Sequence, residues 1–180
     1  MLDTTHSALK LFGEQVVGKS KLNLKRKGKL ASKGLFDSIK FTSKVNKNSL
    51  ELEIFMEDYW KYVDYGVKGI GGKKADGSSW KKKRVTNNKF KYKKGIKNKP
   101  SFMHFNGWTI RKGIAPRSKG GQFTKRKGLL IAISHSVWHR GLETTSFFTK
   151  PFEKEFRELP DELIEAYSID VDSFLEFAIL

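Results

Sequence analysis

Between Lys68 and Lys99 the chain sets thirteen basic residues against a single acid, Asp76, and breaks them up with five glycines. No apolar residue recurs there at a helical or strand period. The tract therefore has no face to bury and reads as a long basic loop or arm, at about 68–100, ordered by what it meets. It follows without a spacer from YWKYVDYGVKG, residues 59–69, whose first seven positions hold four aromatics. A packed aromatic element is thus joined directly to the least self-sufficient stretch of the chain.

The imbalance extends further. The 180 residues include 36 basic and 19 acidic side chains, a net charge of +17. Arg111 to Lys127 adds seven basic residues and no acid, whereas residues 150–180 invert the sign, with nine acids against three bases. A surface this basic attracts polyanions: nucleic acid, a membrane face or an acidic protein. A basic middle and an acidic end suit a subunit that docks between unlike surfaces or onto copies of itself. The apolar content of 38%, with fourteen Phe, four Trp and five Tyr, is enough for one core. The expected organisation is a single α+β domain over 1–180, with the basic arm at 68–100 and a helical extension at 151–180. With no cysteine, disulfides and thiolate metal sites are excluded and a reducing compartment is expected. No apolar run reaches the roughly 18 residues of a membrane span, and the first residues show no signal pattern.

Periodicity places the elements. Residues 4–17 predict an amphipathic helix with Ala8, Leu11, Phe12 and Val16 near one face. Residues 18–34 read as basic loop with a helical turn near Leu30, and residues 35–40 as a lead into a strand. Ile39, Phe41 and Val45 alternate, as do Leu50, Leu52, Ile54 and Met56; with a turn at Asn46-Lys47-Asn48 they predict an antiparallel hairpin at about 38–57. Glu57-Asp58 opens a helix whose stripe is Tyr59, Tyr62, Val63 and Val67, ended by Gly66 and Gly69. Residues 101–114 read as a helix burying Phe102, Phe105, Trp108 and Ile110. Residues 114–127 read as a second basic loop, and 128–140 as the most apolar helix. Residues 144–149 form a short strand or turn. Two acidic helices follow, at 151–158 and 161–178, with Phe152, Phe156, Leu163, Ile164, Phe174, Leu175 and Phe177 on their apolar side.

Little in the chain points to catalysis. His135 and His139 lie four apart on a helix, a spacing that can share a metal, but HExxH is absent and no cysteine offers a third ligand. The sequence favours two structural histidines. Glu57, Asp58 and Asp64 sit beside the basic tract, yet a helix start and a polar face account for them better than a nuclease metal site. GIGGKK at 69–74 lacks the spacing of a phosphate-binding loop. No cofactor is implied. Trp80, Phe90 and Tyr92, set among lysines, suit stacking on bases, although recognition-helix and zinc-finger signatures are missing. The contact candidates are Lys73, Lys74, Lys81, Lys82, Lys83, Arg84, Lys89, Lys91, Lys93, Lys94, Arg111, Lys112 and Arg117. They face either DNA or an acidic protein surface.

Three segments together carry a resemblance: YWKYVDYGVKG at 59–69, GWTIRKGIAPRSKGGQF at 107–123 and KGLLIAISHSVWHRGLETTSFFTKPFE at 127–153. Their order and spacing resemble the neck and tail-completion (head–tail connector) proteins of tailed bacteriophages, most closely those of crAss-like phages of Bacteroidetes. The resemblance covers roughly residues 35–155. It implies a small α+β subunit with Tyr59, Tyr62, Val63, Tyr65, Gly66, Trp108, Phe147 and Phe148 as the core of the shared motif. It further implies a non-enzymatic virion protein, made in the host bacterial cytoplasm. The subunits would form a homo-oligomeric ring between portal and tail, around the channel through which double-stranded DNA leaves. Its partners would be copies of itself, the portal and other neck or tail proteins, and no membrane. The rival expectation is a non-specific DNA-binding protein outside the virion. The acidic last thirty residues match nothing in that family.

Overall fold

A computed structural model describes residues 3–29, 33–46, 49–86, 89–118 and 120–179, with side chains to position 173. The fold is α+β. The predicted turn at Lys47-Asn48, the turn near Leu30 and the side chains of Phe174, Leu175 and Phe177 lie outside the described residues. By contacts the chain divides into two compact units: residues 1–29, 34–57 and 147–180 form one, and residues 30–33 and 58–146 the other.

The first unit is built on two long helices and a hairpin. Helix α1 spans Asp3–Arg26, nine residues beyond the predicted end. The basic loop expected from residue 18 is helical because Val16, Ser20 and Leu24, spaced by four, are all fully buried. Residues 34–38 form a one-turn helix, α2 (Gly34–Ser38), which leads through the fully buried Ile39 into the first strand. The hairpin then appears as predicted: β1 (Lys40–Asn46) pairs antiparallel with β2 (Ser49–Phe55), and Phe41 faces Ile54 while Val45 faces Leu50. Leu50, Leu52 and Ile54 pack on a core of Leu9, Phe12, Val16 and Leu159. A Cβ on the buried Gly13 would sit 2.6 Å from the Phe41 ring and 2.9 Å from Leu52, so the missing side chain lets α1 approach the sheet. The two predicted acidic helices are one, α6 (Thr149–Ile179), with Pro160 inside it. Its packing along α1 outweighs the one hydrogen bond that Pro160 cannot make.

At the far end of this helix pair, Asp170 receives the Thr4 amide at 3.1 Å, the Thr5 amide at 2.9 Å and the Thr5 hydroxyl at 2.7 Å. A carboxylate distant in sequence thus satisfies the free amides at the start of α1.

The second unit contains α3 (Trp60–Tyr65), β3 (Val67–Lys68), α4 (Asn106–Arg111), α5 (Arg126–Arg140) and β4 (Gly141–Leu142), with 3-10 turns at Ile96–Asn98 and Phe102–Phe105. Helix α5 matches its prediction. The predicted stripe on α3 holds in part: Val63 is half-buried and Val67 buried, but Tyr59 and Tyr62 are exposed and the fully buried residue is Asp64. The expected helix at 101–114 breaks into a 3-10 turn and α4. Its buried residue is Thr109, whereas Phe102 and Phe105 are half-buried and Trp108 and Ile110 exposed. In both cases the elements run only four to six residues, too short to present a continuous stripe, and hydrogen bonding sets their place. No helix among the described residues is long and apolar enough to cross a membrane.

A candidate cationic interface with a stacked aromatic platform

Two helix ends organise the second unit. The last carbonyls of a helix lack partners within it and must find them elsewhere. For α3 they find the Thr144-Thr145-Ser146 segment. The Thr145 hydroxyl donates to Val63 O at 2.6 Å, the Thr144 hydroxyl to Tyr65 O at 2.7 Å, and the Thr145 and Ser146 amides to Asp64 O at 3.1 and 3.0 Å. Between them β3 pairs with β4, Val67 opposite Leu142. Thus YVDYG and GLETTS, two of the segments quoted above, form one structural junction.

For α5 the partners come from the basic tract. Ile70 N donates to Trp138 O at 3.1 Å, Gly71 N to His139 O at 2.9 Å and Lys83 N to Arg140 O at 2.8 Å. The tract then continues along β4, with Thr144 N on Arg84 O at 3.1 Å. The expected loop or arm, ordered by what it meets, meets its own unit here. The tract is irregular, as its composition dictates, but its backbone is tied to the C-terminal end of α5. The negative end of that helix dipole favours cations, so a lysine-rich segment is stabilised where an apolar one would gain nothing comparable. Further along, Lys68 bridges Lys91 in parallel, with Lys68 N on Phe90 O and Tyr92 N on Lys68 O, each at 2.9 Å.

Within the tract, Lys73 and Ser79 form a small antiparallel bridge around a turn at Asp76-Gly77. The Asp76 carboxylate accepts the Ser78 hydroxyl at 2.6 Å and the Ser78 amide at 2.9 Å, which lowers its pKa. This turn presents Trp80. The indole stacks on His139, with centroids 5.1 Å apart and planes 8° from parallel, and His139 stacks in turn on His135 at 6.1 Å and 9°. His139 Nδ1 donates to Gly71 O, and the Trp138 ring meets His139 edge-on at 5.0 Å. Lys74 Nζ lies over the Trp80 ring, 5.5 Å from its centroid. At the other end of the stack Lys99 donates to His135 Nε2 at 2.9 Å. Burial, together with Lys99 and His139, holds the His135 pKa below its ordinary value.

The predicted contact residues are all exposed, and they fall into separate groups. Lys74 and Lys81 gather with Arg140 around Trp80, where Arg140 Nε donates to Lys81 O at 3.2 Å. Lys82 lies against Gly71, so the run Lys81-Lys82-Lys83 follows the α5 end. Lys89 Nζ sits 5.4 Å over the Tyr65 ring, beside the Tyr62–Phe90 pair. Arg117 belongs to a second small hairpin, bridged to Phe123, where its guanidinium stacks on that exposed ring at 4.2 Å. Lys93 and Lys94 lend main-chain carbonyls, to Trp138 Nε1 and Asn98 Nδ2. The Arg111 guanidinium folds back over Gly107, next to Lys112 at the end of α4. Arg140 was missed by sequence reasoning because it sits in an apolar helix, although its place in the last turn before a glycine is a legible signal.

The eight motif residues divide similarly. Gly66 and Phe147 are buried, Val63, Tyr65 and Phe148 half-buried, and Tyr59, Tyr62 and Trp108 exposed. Three ringed side chains of the motif are therefore surface features. Among the described residues no three His, Asp or Glu side chains gather closely enough to hold a metal ion. Comparison with known protein families, curated proteins and solved structures returns no match.

Proposed function

We propose that the chain is a structural subunit of the neck or tail of a tailed bacteriophage. Copies assemble head to tail into a ring between portal and tail, around the DNA exit channel, and perform no chemistry. The observation that carries this reading is the separation of charge between the two units. Asp58 to Ser146 holds 22 basic residues and four acids, a net of +18, while the rest of the chain, with 14 bases and 15 acids, is close to neutral. One unit therefore offers a polyanion-facing or acid-facing surface, and α6 offers an acidic one. A contact between unlike surfaces closes into a ring when its rotation permits.

Mass spectrometry of purified particles from the source tests the proposal. The chain should be present at a fixed multiple of the portal. Its absence from intact particles would sink the ring reading.

The Trp80 platform favours a second reading, a sequence-indifferent DNA-binding protein outside the virion. It shares one expectation with the channel-lining subunit: each phosphate contact contributes about −0.9 to the slope of log K against log salt. Five engaged cations give a slope of roughly −4 to −5. A flat salt dependence in a titration would leave the cations to a protein partner.

A further inference from the structure

Trp80 forms one wall of a cavity of about 290 Å3, lined also by Lys74, Ser78, Ser79, Lys81 and Arg140. We propose that this cavity is a nucleotide site, holding one unpaired nucleotide with its base on Trp80 and its phosphate between Lys74, Lys81 and Arg140. The proposal rests on the reading that the basic unit meets nucleic acid, and adds which form of it and where.

The volume lies at the small end of ligand cavities, which run from about 300 Å3, and suits a single nucleotide. The platform is fixed before any ligand arrives. His139 backs the indole in parallel, its own ring pinned by Gly71 O and the edge of Trp138. Lys74 lies over the ring and lines the cavity, whereas His139 does not line it. On the cavity side the indole thus carries the exposed Lys74 side chain, and a base can take its place beneath the ammonium. Three cations line the cavity and no acid does. The nearby Asp76 is engaged by Ser78. A base inside a duplex cannot offer its face to a side chain, so the site selects unpaired nucleotides.

The test uses the whole chain with an oligo-dT strand, a duplex of equal length, and dTMP. An oligo-dT carrying 5-iododeoxyuridine should photo-crosslink to the wild-type tryptic peptide that runs from Ala75 to Lys81. Trp80→Ala should weaken oligo-dT binding at least about fivefold, since stacking contributes roughly 1–3 kcal/mol per base, and leave duplex binding unchanged. Trp80→Phe should retain oligo-dT binding within about twofold. Saturable dTMP binding lost in Trp80→Ala assigns the site to a free nucleotide; strand binding without it assigns an unpaired nucleotide within a chain. Crosslinking elsewhere, or equal loss on strand and duplex, overturns the proposal. If Trp80→Ala fails to fold, the wild-type crosslink decides alone. Duplex binding with no dependence on Trp80 in the strand overturns this site only, whereas failure to bind either DNA overturns the nucleic-acid reading with it.

Discussion

Asp170 fixes the start of α1 by accepting three hydrogen bonds, the Thr5 hydroxyl foremost, and these hold its carboxyl down at about 2 against an ordinary 3.8. A depressed folded-state pKa contributes stability that is present above the unfolded value and lost as pH falls through the folded one. The first unit should therefore lose stability between about pH 4 and pH 2. Asp170→Asn should lower the melting temperature near neutrality and flatten that acid loss, read by thermal melts across the range. An unchanged acid limb would remove Asp170 from the account. Gly141 is a second point of leverage. Its φ is +84°, and a Cβ there would lie 2.3 Å from Val67 O, in the pairing of β3 with β4. Gly141→Ala should destabilise the second unit by more than about 2 kcal/mol, from a disallowed backbone and a backbone clash. Gly18, on the exposed side of α1 with open space where a methyl would go, is the control. There Ala should stabilise by about 0.5–1 kcal/mol, measured by denaturant unfolding.

At the scale of elements, the basic stretches differ in what holds them. Residues 70–84 lend amides to the end of α5 and a carbonyl to Thr144, whereas the main-chain bonds among the described residues of 116–124 run between those residues themselves. Local opening is easiest where bonds are local and exposed. Limited trypsin digestion should thus cut first between Arg111 and Lys127, with Lys73 to Arg84 cut later. Early cleavage at Lys81, Lys82 or Lys83 would mean that the α5 docking does not hold the tract. This distinction was not legible in the sequence, which marks both stretches as basic and breaker-rich. What it displayed clearly was periodicity: the alternation of Leu50, Leu52 and Ile54, the apolar run of α5, and the first turns of α1. It hid the rest of α1 because Ser20 stands on the buried face between Val16 and Leu24. It hid the capping of α3 and α5 because main-chain bonds between distant segments leave no side-chain pattern. Trp80 was legible as an aromatic among lysines, but its stack on His139 depends on how the tract returns to α5.

For the whole molecule the ring proposed above makes α6 the surface to test. Along α6, Phe156, Pro160, Ile164 and Tyr167 follow one another at intervals of four, four and three, and all four are exposed or partly so, Ile164 at 70%. Those intervals place them on one side of the helix, next to the face of Leu159, Leu163 and Ala166 that packs inward. On the ring proposed above, an exposed apolar stripe on a helix bordered by acids is a surface suited to docking. In that ring its acidic borders would complement the basic unit of a neighbouring copy. Removing residues 161–180 would be a poor probe, because it would also take away Asp170 and its bonds to Thr4 and Thr5. Ile164→Asp with Tyr167→Asp tests the surface alone. Both side chains point to solvent, so the melting temperature should stay within about 3 °C, as surface substitutions usually change stability by less than about 0.5 kcal/mol. Self-association, followed by sedimentation velocity over a concentration series, should be lost, and the variant should be missing from particles. Reversing Lys81, Lys82 and Lys83 to Glu should give the same defect if the complementary surface lies there, and combining the two sets should add nothing further. Normal particles from the α6 variant would mean that the stripe faces no copy of this chain, and the ring would then have to close through the basic unit alone.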